Sequence, residues 1–202
     1  MSRLILLRHG QTEWNSAGRF QGTTDIDLDE TGRRQADSAA KALAALQPDL
    51  VYTSDLRRAR DTATPVADLA GLTVRCDPRL RERSYGPWEG LTRAQVKAQF
   101  PDEFADWEAR RPFRLTGLEG RDEIAARGGA VLTDIAAELE SDQTAVVVSH
   151  GGLLRPGMVA FMGWPDTVAD SLVGLGNCCW ADLRSGSVGW RMHGFNLSAH
   201  CE

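Results

Sequence analysis

Long apolar runs are missing from this chain. No stretch approaches the roughly 18 uninterrupted apolar residues that a membrane-spanning helix needs, and the longest early run, Leu4 to Leu7, is far too short for a signal-peptide core. A cytoplasmic protein without membrane contact is expected. Cysteine is scarce: Cys76, Cys178, Cys179 and Cys201 are the complete set, two are adjacent, and none forms a C-x-x-C pair. Metal-ligand spacing is absent, so no metal site is expected and the thiols read as reduced. An excess of positive charge is missing too. Against 23 lysines and arginines stand 28 acidic residues, a formal charge of -5, where a nucleic-acid binder would be basic. Low-complexity linkers and internal repeats do not occur.

What is present is the composition of an ordinary globular domain, 42% apolar and 25% charged over 202 residues. That length suits one domain, residues 1–202, with a full core. Arg3 to Leu7 reads as a strand buried on both faces. A glycine-bearing loop follows, then a helix from Glu30 to Leu46 capped by Asp29 and ended by Pro48. A strand at Leu50 to Thr53 leads to a helix over Leu56 to Leu69, which Pro65 is expected to kink or shorten. A third strand runs from Thr73 to Cys76. Residues 78–120 are irregular and proline-bearing, a mostly helical insertion expected to cover a pocket. Ile124, Val131, Ile135 and Leu139 mark one face of a helix from Arg121 to Glu140. Ala145 to Val148 is a buried strand, Leu153 to Met162 a helix, and the tail a strand pair turning at Arg184 to Ser187. Alternating strands and helices give an α/β fold: a three-layer sandwich with a mostly parallel central sheet and helices on both faces.

Histidine is rare: His9, His150, His193 and His200. Two of these, His9 and His150, fall at the carboxyl ends of predicted strands, where open α/β sheets bind ligands. Each precedes a glycine, expected to let main chain approach a ligand and to free N–H groups for an anion. Arg8 adds a forked donor suited to phosphate oxygens. Taken alone, each histidine reads equally well as a packed strand-end residue.

The run LRHGQTEWN (Leu7 to Asn15) resembles the opening motif of the histidine phosphatase, or phosphoglycerate mutase-like, superfamily. Four further blocks resemble the family in order: Gly18 to Ala36, SDLRRARDTA (Ser54 to Ala63), LRERSYGPWEGLT (Leu80 to Thr92) and VVVSHGG (Val146 to Gly152). The resemblance implies a phosphoglycerate mutase-like sandwich and a metal-independent, cofactor-free phosphomonoesterase. Residue by residue, it makes His9 the nucleophile that becomes phosphohistidine. Arg8, Arg58 and His150 would bind the phosphoryl group, with Gly151 beside them. Glu82 would be the general acid and then the base, and Asn15, Gln21, Gly22 and Thr23 would line the substrate side. Arg57, next to Arg58, reads as solvated.

The acidic run Asp25 to Glu30 reads as a solvated loop and helix start, not a Mg²⁺ site. His9 must be neutral to attack, which neighbouring cations favour, and a carbonyl on its other ring nitrogen would fix the tautomer. Glu82 must carry a proton to the leaving oxygen. Its plain alternative is a surface ion pair with Arg81 or Arg83. The partner implied is a small phosphorylated metabolite, and a homodimer is an open alternative. The tail segments GLGNCCWADL and WRMHGFNLSAH resemble an actinobacterial branch that dephosphorylates a glucosylated glycerate. Mutases that return the phosphoryl group to substrate share the motifs, and a non-catalytic phospho-ligand module is a third option. Where that branch carries Gly-Gly-Glu-Ser, this chain has Gly117-Leu118-Glu119-Gly120. Trp14, Phe20, Tyr85 and Trp88 are candidates for pocket or core, and Trp180 and Trp190 for core or a dimer contact.

Overall fold

The structure is a computed structural model that describes residues 1–199. His200 and Cys201 lie outside the described residues. Among those residues one six-stranded sheet runs in the order β3-β2-β4-β1-β5-β6. Strand β1 spans Arg3–Arg8, β2 Leu50–Thr53, β3 Val74–Cys76, β4 Thr144–Ser149, β5 Trp180–Gly186 and β6 Gly189–Leu197. The β1–β4, β2–β4 and β2–β3 pairs are parallel, and β5 and β6 close the sheet antiparallel.

Alternation along β1 explains the layers. Ile5 and Leu7 face one side with Val146 and Val148, against Ala36, Ala39 and Leu43 of helix α2 (Glu30–Ala44) and Ala59, Ala63 and Val66 of α3 (Arg57–Ala70). Leu4 and Leu6 face the other side with Ala145 and Val147. There they meet Ile124, Val131 and Leu132 of α6 (Arg121–Glu138) and Leu153 and Met158 of α7 (Gly151–Phe161). Period-two strands between helices on both faces are the three-layer sandwich read from the sequence.

Helices α6 and α7 cross at glycines. A Cβ on Gly157 would stand 2.8 Å from the Gly128 Cα, so both must lack side chains for the backbones to meet. Asp29 caps α2 as expected, accepting from the Gly32 N–H at 2.7 Å. That helix ends at Ala44, two residues before the expected Leu46.

Other local expectations fail for identifiable reasons. Helix α3 runs through Pro65 without a break. Burial of Ala59, Thr62, Ala63, Val66 and Ala67 along one face outweighs the hydrogen bond the proline cannot donate. Helix α7 starts at Gly151, directly after His150, and not at Leu153. The tail hairpin turns at Ser187 and Val188, because Gly186 still pairs with Gly189. A one-turn helix, α1 (Glu13–Ser16), follows β1 and was not expected.

Residues 78–120 contain two 3₁₀ turns (Pro78–Leu80, Gly86–Trp88), α4 (Arg93–Gln99) and α5 (Pro101–Glu108). The short helix α8 (Thr167–Ser171) completes the set. Trp88, fully buried, centres a cluster with Phe20, Phe100, Phe104, Trp107 and Phe113. Trp88 and Phe20 are therefore core. Trp180 is buried among the α2 and α3 contacts, and Trp190 packs on Phe161 at 5.3 Å. No helix among the described residues is long and apolar enough to cross a membrane.

Candidate active site

Strand order builds the site. The parallel register sets Arg8 opposite Ser149, so the residues that follow, His9 and His150, emerge side by side. Their ring centroids are 5.0 Å apart. The His9 N–H donates to the Ser149 carbonyl at 2.9 Å and extends the ladder into the site. From β1 the chain leaves toward α2, and from β4 toward α7. The histidines thus sit at the crevice where the strand order reverses.

Both rings are buried, His9 at 2% exposure and His150 at 0%. The His9 Nδ1 stands 2.7 Å from the Gly10 carbonyl. A carbonyl only accepts, so Nδ1 carries the proton and Nε2 the lone pair. The tautomer-fixing carbonyl expected from the sequence is that of the next residue. His9 is held well below its ordinary pKa, first by burial, then by Arg58 and Arg8. Burial leads, where the sequence suggested the cations alone. His150 is lowered in the same way, by burial and then by Arg58, His9 and Arg8.

The cations are fixed at one end and open at the other. Arg8 donates from Nη1 to the Leu175 carbonyl at 2.6 Å. Arg58, fully buried at the start of α3, donates from Nη1 to the Thr24 carbonyl and from Nη2 to the Gly22 carbonyl, each at 2.8 Å. Arg8 Nε, Arg58 Nε and both ring nitrogens of His150 are buried without a hydrogen-bond partner among the described residues. Buried donors without acceptors are costly, and here they gather around His9. Two guanidiniums beside two neutral imidazoles give the surroundings of His9 a positive field. His150 also caps the N-terminus of α7, which adds a favourable field for an anion.

Glu82 is positioned by main chain, not by its flanking arginines. Its Oε1 accepts from the Arg83 N–H at 2.8 Å and its Oε2 from the Gly152 N–H at 3.1 Å. Arg81 pairs instead with Asp55, and Arg83 donates to the Glu119 carbonyl. Glu119, the residue kept from the altered Gly-Gly-Glu-Ser stretch, grips Arg127 through both carboxylate oxygens. Arg127 in turn donates to the Arg79 and Arg81 carbonyls, which secures the segment carrying Glu82.

The remaining expected residues divide by what they touch. The Asn15 carboxamide oxygen caps α1, accepting from the Thr12 N–H at 3.1 Å, so its amide end is left for a ligand. Gln21 is buried with Oε1 unpartnered. Gly22 has φ +56°, and its carbonyl holds Arg58. The Thr23 N–H and hydroxyl turn to Glu89. Gly151 lies against the Arg8 guanidinium. Arg57, half-exposed, pairs with Asp25 and Asp27, and with Asp29 capping α2 this accounts for the acidic run.

Gly10 departs from its expected role. Its N–H donates to Thr62 Oγ1 at 3.0 Å, not toward a ligand. A Cβ there would stand 2.5 Å from the Gly32 carbonyl oxygen; packing of this loop against the first turn of α2 demands the glycine. Three contributors escaped sequence reasoning. Thr62 joins Gly10 to the Arg58 carbonyl, Asn177 donates to the His9 carbonyl at 3.0 Å, and Glu89 organises residues 22–24. Thr62 and Glu89 lie inside recognisable blocks, so block membership was the available signal.

A paired-histidine crevice with two buried guanidiniums whose Nε atoms lack partners among the described residues is the arrangement of an anion-binding site in an α/β protein. The family model for the histidine phosphatase superfamily (branch 1) matches residues 4–198, and the chain belongs to that superfamily. Its relatives include a glucosyl-3-phosphoglycerate phosphatase of Mycobacterium tuberculosis, 39% identical over 98% of this chain and 95% of the relative. Phosphoserine phosphatase 1 of Hydrogenobacter thermophilus is 34% identical, over 81% of this chain and 77% of its own. The solved structure of mycobacterial glucosyl-3-phosphoglycerate phosphatase with VO3 has a TM-score of 0.88 at 39% identity, covering 97% of this chain and 99% of that one.

Proposed function

We propose that this chain is a metal-independent phosphomonoesterase working through phosphohistidine, with glucosyl-3-phosphoglycerate or a near relative as substrate. The observation that carries the reading is the set of buried, unpartnered donors on Arg8, Arg58 and His150 around a neutral His9. In-line attack spreads negative charge over three equatorial oxygens, and fixed donors at those oxygens lower the barrier. His9 Nε2 forms the bond to phosphorus while the ester P–O bond breaks, and Glu82 gives its proton to the leaving oxygen. Water then attacks phosphorus, Glu82 takes the proton released, and the P–N bond breaks to free phosphate.

Support for an acidic leaving group comes from a cavity of about 360 Å³ beside Gly152. Arg83, Tyr85, Trp107, Arg155 and Pro156 help to line it, as do Asp122 and Asp166 and the paired acids Glu108 (with Arg93) and Asp170 (with Arg110 and Arg121). Arg83 and Arg155 donate to main-chain carbonyls, and among the described residues neither pairs with a carboxylate. A glycerate carboxylate suits two such guanidiniums. We read residues 1–202 as one domain in which the 78–120 segment covers the site.

The test is phosphate release, with EDTA present, from glucosyl-3-phosphoglycerate, 3-phosphoglycerate, phosphoserine and glycerol 3-phosphate. The glucosylated or simple phosphoglycerate is expected to give the highest kcat/KM, unaffected by EDTA. Failure on all four, or turnover by His9→Ala, overturns the proposal.

A further inference from the structure

Glu89 sits outside the reacting group, yet its carboxylate is spent on the Gly22–Thr24 loop and on the Tyr85 N–H. Oε1 accepts from the Thr23 N–H at 3.0 Å and the Tyr85 N–H at 3.1 Å. Oε2 accepts from the Thr24 N–H at 3.0 Å and the Thr24 hydroxyl at 2.5 Å. The loop meets it without a side chain at Gly22, where a Cβ would overlap Glu89 Oε1 and where φ is +56°. A glycine is required there on both counts. The other side of the same loop presents the Gly22 and Thr24 carbonyls, and these two are the acceptors that hold Arg58.

We infer that Glu89 is a positioning residue for phosphoryl transfer, acting through the Gly22–Thr24 loop on Arg58. The inference rests on the phosphomonoesterase reading above. Each Nη of Arg58 gives one N–H to a carbonyl, and Nε is the nitrogen of this guanidinium that is buried without a partner among the described residues. The clamp therefore decides where that donor points. Glu89 also fixes the Tyr85 N–H, three residues beyond Glu82. One carboxylate thus ties the loop that orients the phosphate-binding cation to the segment that carries the acid. Without the carboxylate, three main-chain N–H groups lose their acceptor, the carbonyls turn, and Arg58 loses its fixed direction. Displacement of a transition-state donor by about 1 Å costs up to ~10²-fold.

A double-mutant cycle tests the route. Wild type, Glu89→Ala, Arg58→Ala and the double variant are compared by kcat/KM on p-nitrophenyl phosphate and by inhibition with orthovanadate. Glu89→Ala is expected to lower kcat/KM and weaken vanadate inhibition by about 30-fold each, within the range of coupled neighbours. In the Arg58→Ala background the same change is expected to cost less than about 2-fold. Glu89→Gln keeps an acceptor for the Thr23 and Tyr85 N–H groups but opposes the Thr24 N–H with a donor. Its losses are expected to fall between wild type and Glu89→Ala, and it serves the cycle if Glu89→Ala does not fold. Losses that multiply across the cycle, or vanadate inhibition unchanged in Glu89→Gln, overturn the inference. An inert wild type would instead overturn the phosphomonoesterase reading.

Discussion

Gly152→Ala should leave the protein folded and strip it of general-acid catalysis. Gly152 lies in the first turn of α7, and its φ is not positive, so alanine costs no backbone strain. In a helix, alanine is better than glycine by up to about 1 kcal/mol. The obstacle is Glu82. A Cβ on residue 152 would overlap Glu82 Oε1 and stand 3.0 Å from its Cδ. Carbon atoms rest at roughly 3.5–4.0 Å, so the carboxyl group must retreat by about 0.5–1 Å. The Gly152 N–H to Oε2 bond of 3.1 Å is the tether most directly lost. A flexible carboxylate moves at little cost to stability, whereas a misplaced proton donor costs up to about 10²-fold in rate. The assay is kcat/KM, which reports steps only through phosphoryl transfer to His9, so the later hydrolysis does not enter. A 3-phosphoglycerate-type ester should lose about 10²-fold. p-Nitrophenyl phosphate, whose leaving group needs little protonation, should lose less than about 5-fold. Equal losses on the two esters, or none on either, would refute the placement of Glu82 as the acid.

Three further outcomes follow from the same geometry. His9 and His150 both titrate below their ordinary range when folded, so the unfolded chain binds more protons below about pH 6.5. Stability present above that pH is lost as pH falls, by up to ~1.4 kcal/mol per pH unit for each histidine. Urea unfolding of His150→Gln should show a shallower loss between pH 6.5 and 5, and an unchanged slope would count against buried neutral rings. Thr62→Val removes the acceptor for the Gly10 N–H and the donor to the Arg58 carbonyl, which should cost about 1–3 kcal/mol in thermal or urea unfolding. Gly157→Ala drives a methyl to 2.8 Å from the Gly128 Cα. It should destabilise by about 2 kcal/mol despite its helix preference; a stabilised variant would show that α6 and α7 can separate freely.

The sheet and the chemistry-bearing residues were legible because each depends on short-range pattern. Continuous apolar runs mark β1 and β4, and the second residue after each run is a histidine. What escaped depends on tertiary contact. Pro65 breaks an isolated helix, but its neighbours Thr62, Ala63, Val66 and Ala67 are buried against the sheet. The pattern makes Gly10 a ligand-facing glycine, yet its neighbour across space is Gly32, in the first turn of α2 and 22 residues on. The role of Glu89 is not legible from its block, since its carboxylate serves main-chain N–H groups whose direction no side-chain pattern encodes. The turn at Ser187 and Val188 was shifted because Arg184-Ser185-Gly186-Ser187 is equally good turn chemistry, and cross-strand pairing decided between them.

On the proposed mechanism the same two arginines would bind the phosphoryl group and help to hold His9 neutral, and these duties would change together during the reaction. Before substrate arrives, burial and the charges of Arg58 and Arg8 keep the His9 proton off Nε2. The ring is then competent but weakly basic. A phosphomonoester dianion between the guanidiniums would offset the part of that lowering that Arg58 and Arg8 cause, while burial, the larger cause, stays. Nε2 therefore gains basicity as the phosphorus comes within reach, while the Gly10 carbonyl still accepts from Nδ1 and prevents the ring from turning. Phosphohistidine would carry the imidazolium charge against that carbonyl, which steadies it until water is activated. The lone pair thus strengthens only when its target is present, a consequence of placing cations around a buried histidine at the β1–β4 crevice.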